Sequence, residues 1–139
     1  MAANIGAQLE KEAGDEIAAY KTLQSHIDAL MQSKARFLQQ KSENELVRDE
    51  LGLDEGANVF KVVGPVLFKQ DYDDVKENVQ KRLEFIQAEI EKVDAQTKAK
   101  QEEMQKIGET IMEKQKALRN QAADEARKVY EEQMAKMEQ

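Results

Sequence analysis

The sequence of 139 residues contains no cysteine and no tryptophan, and only one histidine and one proline. Without cysteine there is no thiolate nucleophile, no disulfide framework and no cysteine-based zinc site. A zinc site built from several imidazoles is also excluded, and His26 lies in a helical pattern typical of a surface histidine. No glycine-rich phosphate-binding motif is present. We therefore predict no catalytic residue, no metal site and no cofactor, and we expect that the protein is not an enzyme.

An excess of positive charge and long apolar runs are missing too. The chain has 21 basic and 28 acidic residues, a formal net charge of -7, whereas nucleic acids are held largely by Lys and Arg on phosphates. No run of about eighteen apolar residues exists that could span a membrane. The N-terminal segment lacks the basic start and apolar block of a signal peptide. We expect no nucleic-acid partner, no membrane partner, and a soluble intracellular protein.

Glycine and proline are concentrated in one short part of the chain. Gly52, Gly56, Gly64 and Pro65 fall within fourteen positions, so two long uninterrupted segments flank a turn-rich middle. With 35% charged and 5% aromatic residues, little material is left for a large compact core. We expect a single domain over residues 1–139 that is elongated rather than round.

Both long segments repeat apolar residues at alternating steps of three and four. In the first segment these residues are Leu9, Ala13, Tyr20, Leu23, Ile27, Leu30, Phe37 and Leu51. In the second they are Leu83, Ile86, Ile90, Val93, Met104, Ile107, Ile111 and Leu118. A sustained period of 3.5 indicates a coiled coil. We predict helices over about residues 9–51 and 72–136, and leave open whether residues 1–14 extend the first helix, because Gly6 and Gly14 weaken that stretch.

Each apolar stripe is expected to pack against the other, which makes the helices an antiparallel pair. One register that satisfies the pattern places Tyr20 opposite Ile107. The same register places Lys34 opposite Val93, so that several polar stripe residues meet an apolar one. A shift by a whole heptad would fit equally well. Polar residues on the two stripes include Glu16, Lys34, Lys41, Asn44, Thr97, Lys100 and Lys114.

Residues 58–70 form the turn-rich middle and read NVFKVVGPVLFKQ. Val, Phe and Leu dominate, and the central Gly-Pro predicts two strands joined by a tight turn; the alternative is a hydrophobic loop tucked against the helices. Gly52 predicts the end of the first helix, and Asp71 with Asp74 predicts the start of the second. The fold class is mainly α: a long antiparallel two-helix coiled coil with one β-hairpin at the turn between the helices.

The predicted hairpin is expected to make contacts, whereas the sequence leaves open the role of the apolar residues at the end of the second helix. A lone hairpin of this size is marginal in water, and its open edges invite other strands, so the hairpin needs partners. Beyond Leu118 the stripe is lost. The apolar residues that follow are Val129, Tyr130, Met134 and Met137. They form either a frayed helix end with ordinary surface hydrophobes or a contact surface whose flexible methionines adapt to many partners.

Residues 50–53 and 58–70, set between two heptad helices, closely resemble the prefoldin beta class. The resemblance covers about residues 20–118, and residues 58–70 are its most specific part. It implies an ATP-independent chaperone, a heterohexamer of two alpha-class and four beta-class subunits whose hairpins form a β-barrel platform. It further implies that the complex binds unfolded proteins such as actin and tubulin and passes them to the cytosolic group II chaperonin. A cytoplasmic protein is expected on the same ground.

The resemblance also implies two sets of site residues. The subunit-assembly residues on the hairpin would be Val59, Phe60, Val62, Val63, Val66, Leu67 and Phe68. The candidate client contacts would be Ile5, Leu9, Val129, Tyr130, Met134 and Met137. The alternative function is a structural coiled-coil tether or scaffold, which would explain the helices but not the Val- and Phe-rich hairpin.

Overall fold

The computed structural model describes residues 2–139, in which four elements follow one another along the chain. Helix α1 spans Ala2–Leu53, strand β1 Val59–Val63, strand β2 Val66–Gln70 and helix α2 Tyr72–Met137. The two strands pair antiparallel as a hairpin. The predicted fold class, two long helices with one hairpin between them, is confirmed.

The chain divides into two compact units, each of which contains a segment of both helices. The first unit consists of the described residues up to Ile27 together with Ala99–Gln139. The second consists of Asp28–Lys98 and contains the hairpin. Because each helix carries one apolar stripe, each unit removes these stripes from water by packing its two helix segments together.

The buried apolar side chains of both units lie in the predicted heptad phase. In the first unit they are Ala13, Leu23, Ile27 and Leu118. In the second they are Val79, Leu83, Ile86, Ile90 and Val93. Full burial of one such aliphatic side chain contributes roughly 1.5–3 kcal/mol. The heptad prediction is confirmed, and Val79 continues the stripe of α2 one step toward the hairpin.

Contacts between the helices settle the register that the sequence left open. In the second unit, Lys34 Nζ lies 2.7 Å from Asp94 Oδ1, next to the predicted neighbour Val93. In the first unit, a methyl group added to Gly108 would lie 3.5 Å from Tyr20 Cε2. Gly108 adjoins the predicted Ile107. The predicted register is therefore confirmed to within one residue, and a shift by a whole heptad is excluded.

Several polar stripe residues find polar partners, although the sequence predicted that several would face an apolar residue. The amino group of Lys34 reaches past Val93 to Asp94, because a lysine side chain is long and flexible. Lys114 Nζ donates to Glu16 Oε1 at 2.6 Å, and Asn44 Nδ2 donates to a main-chain carbonyl of its own helix at 2.7 Å. The hydrogen bond from Lys114 lowers the pKa of Glu16 below its ordinary value. The Glu16 carboxylate is therefore ionised at neutral pH.

Helix α1 is kinked at Ala13, where φ is -121° and ψ is 18°. Gly14 follows the kink, and Lys114 Nζ donates to the carbonyl oxygen of Glu12 at 2.9 Å. A side chain that inserts into the main-chain hydrogen bonds of a helix is one established cause of a kink. The residues before the kink are helical as well, so α1 begins before the predicted bound near Leu9.

The end of α1 lies beyond the predicted stop. The helix continues through Gly52 to Leu53, so the prediction that Gly52 ends it is wrong. The chain turns instead at Gly56, whose φ of 85° is in the left-handed region that favours glycine. The N–H of Ala57 donates to the carbonyl oxygen of Asp54 at 3.2 Å and closes this turn.

The start of α2 follows the prediction. Asp71 Oδ1 accepts hydrogen bonds from the N–H groups of Asp73 at 2.9 Å and Asp74 at 3.2 Å. An aspartate in this position satisfies main-chain donors that have no partner within the helix. The hydroxyl of Tyr72 donates to the carbonyl oxygen of Leu51. This bond joins the two helix ends that carry the hairpin.

Candidate functional site

The hairpin is closed by the two-residue loop Gly64-Pro65, because Val63 pairs with Val66. Gly64 has a φ of 59°, and the ring of Pro65 fixes its φ near about -65°. A positive φ followed by a negative one matches a type II′ turn, whose twist suits hairpin strands. The Gly-Pro sequence therefore specifies the turn that this register requires.

The register divides the side chains of the hairpin between two faces, since side chains alternate along a strand and cross-strand partners share a face. The first face carries Val59, Lys61, Val63, Val66, Phe68 and Gln70. The second face carries Phe60, Val62, Leu67 and Lys69. The predicted assembly residues are thus distributed over both faces, and each face also carries one lysine.

The apolar side chains of the hairpin are open to solvent. The exposed fraction is 52% for Phe60, 52% for Phe68 and 69% for Val62. Of the seven predicted assembly residues, only Val59 is half-buried. The alternative of a hydrophobic loop tucked against the helices is therefore wrong. Exposed apolar surface of this kind is typical of sites that contact another chain or ligand.

The outer edges of the hairpin present main-chain groups as well. A tight turn bonds the N–H of Val66 to the carbonyl of Val63, and bonded and non-bonded pairs alternate along an antiparallel ladder. Phe60 and Val62 therefore direct their N–H and C=O groups outward. Within residues 2–139 no third strand covers this edge. Such an edge is a template for a strand of another chain.

The end of α2 is a second exposed surface. Every residue from 127 to 139 is exposed, and the exposed fraction reaches 63% for Tyr130 and 80% for Met137. Two of the predicted client contacts, Ile5 and Leu9, are instead half-buried. Ile5 lines a cleft of about 110 Å³ together with Gln121 and other residues of α2. The structure thus places these two residues within the helix pair and leaves the four on α2 open to solvent.

A third apolar surface, in the first unit, was missed by the heptad pattern. It is a groove of about 720 Å³ whose lining includes Ile17, Tyr20, Met104, Gly108 and Met112. Met104 and Met112 lie four residues before and after Gly108, so all three share one face of α2. The signal in the sequence was a glycine beside the stripe, flanked at helical spacing by two methionines.

We expect Gly108→Ala to stabilise the protein by roughly 1 kcal/mol, because alanine is the better helix former. The added methyl group would lie 3.5 Å from Tyr20 Cε2, which is an ordinary contact. The reverse change, Ala95→Gly at an exposed position of the same helix, should lower the free energy of unfolding by a similar amount. Urea unfolding of the three chains measures both effects; a loss of stability in Gly108→Ala would show that Tyr20 has no room to move.

Residues 2–139 contain no group of three or more His, Cys, Asp or Glu side chains placed to hold a metal ion. His26 is exposed, as the sequence predicts. In this part of the chain no helix has the length and apolar character needed to cross a membrane. The described surfaces with a clear chemical character are the apolar hairpin, the end of α2 and the groove.

These features define a class: a two-helix coiled-coil protein that carries an exposed β-hairpin between its helices. Known proteins with this fold are similar to this chain in sequence or in structure. The family model described as prefoldin subunit matches residues 14–118. The chain therefore belongs to the prefoldin family and is a prefoldin subunit. The predicted family resemblance is confirmed, whereas the six candidate client contacts lie outside the matched residues.

Individual relatives agree with the family match. Prefoldin subunit 6 of Arabidopsis thaliana is 41% identical over 106 residues, which cover 76% of this chain and 82% of that protein. Prefoldin subunit 6 of Bos taurus is 32% identical over 119 residues, covering 85% of this chain and 92% of that protein. The crystal structure of the prefoldin beta subunit from Thermococcus strain KS-1 matches with a TM-score of 0.68 at 21% identity. That match covers 78% of this chain and 93% of the other, and supports the fold.

Proposed function

We propose that this chain joins other prefoldin subunits, of alpha and beta class, through its hairpin and acts in that complex as an ATP-independent chaperone. The observation that carries the proposal is the exposed hairpin of a prefoldin-family chain. Apolar side chains are open on both faces of it, and its edges have outward main-chain groups. Strands of sister subunits would cover both features at once.

The proposed activity of the complex is to hold unfolded proteins such as actin and tubulin and to pass them to the cytosolic group II chaperonin. We propose a cytoplasmic location on the same ground. Exposed residues at the end of α2 are the proposed client contacts, chiefly Tyr130, Met134 and Met137. Weak apolar contacts on the helices of several subunits retain a client through effective concentration and still allow its release. Such binding makes and breaks no covalent bond.

Reconstitution with sister subunits tests this function. The complex that contains this chain should suppress the aggregation of denatured actin without nucleotide, and should release bound actin when chaperonin is added. Light scattering follows aggregation, and native gels follow transfer. A complex that forms but leaves actin aggregation unchanged would contradict the chaperone activity. A chain that forms no complex at all would contradict the proposed assembly.

A further inference from the structure

Two lysines interrupt the apolar surface of the hairpin, one on each face. Lys61 is the middle residue of β1 and pairs across the hairpin with Phe68. Lys69 is the residue before the end of β2 and pairs with Phe60. Both lysines are exposed, and the ion pairs found within residues 2–139 include neither of them. Their charges are therefore available to another chain.

The strands of the hairpin have no carboxylate of their own to pair with these lysines. β1 and β2 contain two lysines and neither aspartate nor glutamate. Asp71, the next residue after β2, uses its Oδ1 to cap α2. An ammonium group that another strand covers loses its water, which is strongly unfavourable unless the group gains a partner. Docking of the hairpin therefore requires an acceptor from outside this chain.

The two lysines differ in how easily they can remain in water. Lys69 lies near the end of its strand, so its flexible stem can carry the amino group beyond the sheet. Lys61 has two strand residues on each side and has no such short route. The need for an acceptor is therefore greatest at Lys61.

We infer that Lys61 determines which strand docks on the hairpin: the strand of the sister subunit that covers this face carries an Asp or Glu that pairs with Lys61. The inference rests on the proposed assembly. A second copy of this chain does not fit, because its strands offer no carboxylate. Antiparallel pairing of two β1 edges also sets the two Lys61 side chains opposite or diagonal to each other, which is repulsive. Charge complementarity thus favours an acidic sister strand over self-pairing.

Lys61→Met tests the inference because it keeps much of the side-chain stem and removes the charge. The change leaves the sister carboxylate covered and unpaired, so the dissociation constant from the sister prefoldin subunits should rise at least about tenfold. Lys69→Met on the other face and Lys92→Met on the exposed side of α2 are matched controls. Each should change the dissociation constant by less than about threefold. Fluorescence titration of each labelled chain with sister subunits of the same organism measures the dissociation constants of the wild type and the three variants.

Unchanged or tighter binding by Lys61→Met overturns the inference, because Lys61 would then only protect a free strand edge from self-pairing. Equal weakening by Lys69→Met also overturns it, since the effect would not be specific to Lys61. If the wild-type chain itself fails to bind the sister subunits, the proposed assembly fails instead. The two failures are therefore distinguishable.

Discussion

Val62→Asp is expected to keep the chain out of the prefoldin complex. The side chain of Val62 is 69% exposed and faces Leu67 across the hairpin, so a new carboxylate there has no direct cationic partner. Phe60 is less suitable because it lies opposite Lys69. A docked strand would bury the new carboxylate, to which Lys69 on the same face is a diagonal rather than a direct neighbour. We expect a cost of several kcal/mol, a loss of affinity of roughly a hundredfold or more.

Native mass spectrometry of the variant mixed with sister subunits measures this effect. Val47→Asp is the matched control, because Val47 is an exposed valine on α1 outside the hairpin. The control should enter the complex as the wild type does, and circular dichroism should show that both variants keep their helices. Assembly of Val62→Asp at wild-type concentrations would mean that the hairpin is not the assembly surface.

Deletion of residues 129–139 is expected to leave assembly intact and to weaken the suppression of client aggregation several-fold. The deleted segment is exposed along its whole length and carries Tyr130, Met134 and Met137. Adaptable methionine and amphipathic tyrosine side chains suit contacts with many unfolded chains. The buried stripe residue Leu118 is retained, so the packing of the helices should persist.

A substitution pair separates apolar contact from simple shortening of the helix. Tyr130→Ser with Met134→Ser should reproduce most of the loss, while Glu131→Ser with Lys136→Ser should not. Light scattering of denatured actin with each reconstituted complex gives the comparison. If the complex with the shortened chain protects actin as well as the complex with the intact chain, the end of α2 is not a client contact. This conclusion holds whether or not the hairpin is the assembly surface.

The heptad positions and the hairpin could be predicted from the sequence because each depends on a local periodicity. Apolar residues in a 3.5 period identify a buried stripe, and Gly64-Pro65 between Val-rich runs identifies a turn. The start of α1 was not predictable in the same way. Gly6 and Gly14 disfavour a helix locally, whereas burial of Ala13 and the hydrogen bond from Lys114 to Glu12 act through contacts distant in sequence.

The composition of the candidate site was predictable, but its geometry was not. Which residues share a face depends on the strand register, and a slip by one residue would move every side chain to the other face. The pairing of Lys61 with Phe68 became visible only with that register. The groove beside Gly108 likewise depends on where Tyr20 lies across the helix pair, which a stripe pattern does not specify.

A coiled-coil tether remains the functional alternative, and it predicts a different assembly. A tether would dimerise with itself along the helices and would be indifferent to changes at Val62. The exposed hairpin argues against a tether, because dimerisation along the helices would leave the apolar side chains on both faces of the hairpin exposed to solvent.

Native mass spectrometry of the wild-type chain, alone and mixed with its sister subunits, tests the central claim most directly. We predict one copy or more of this chain in a hetero-oligomer with other prefoldin subunits, and no stable homodimer when it is alone. A chain that stays monomeric among its sisters, or that pairs only with itself, would contradict the claim that the hairpin is completed by strands of different subunits.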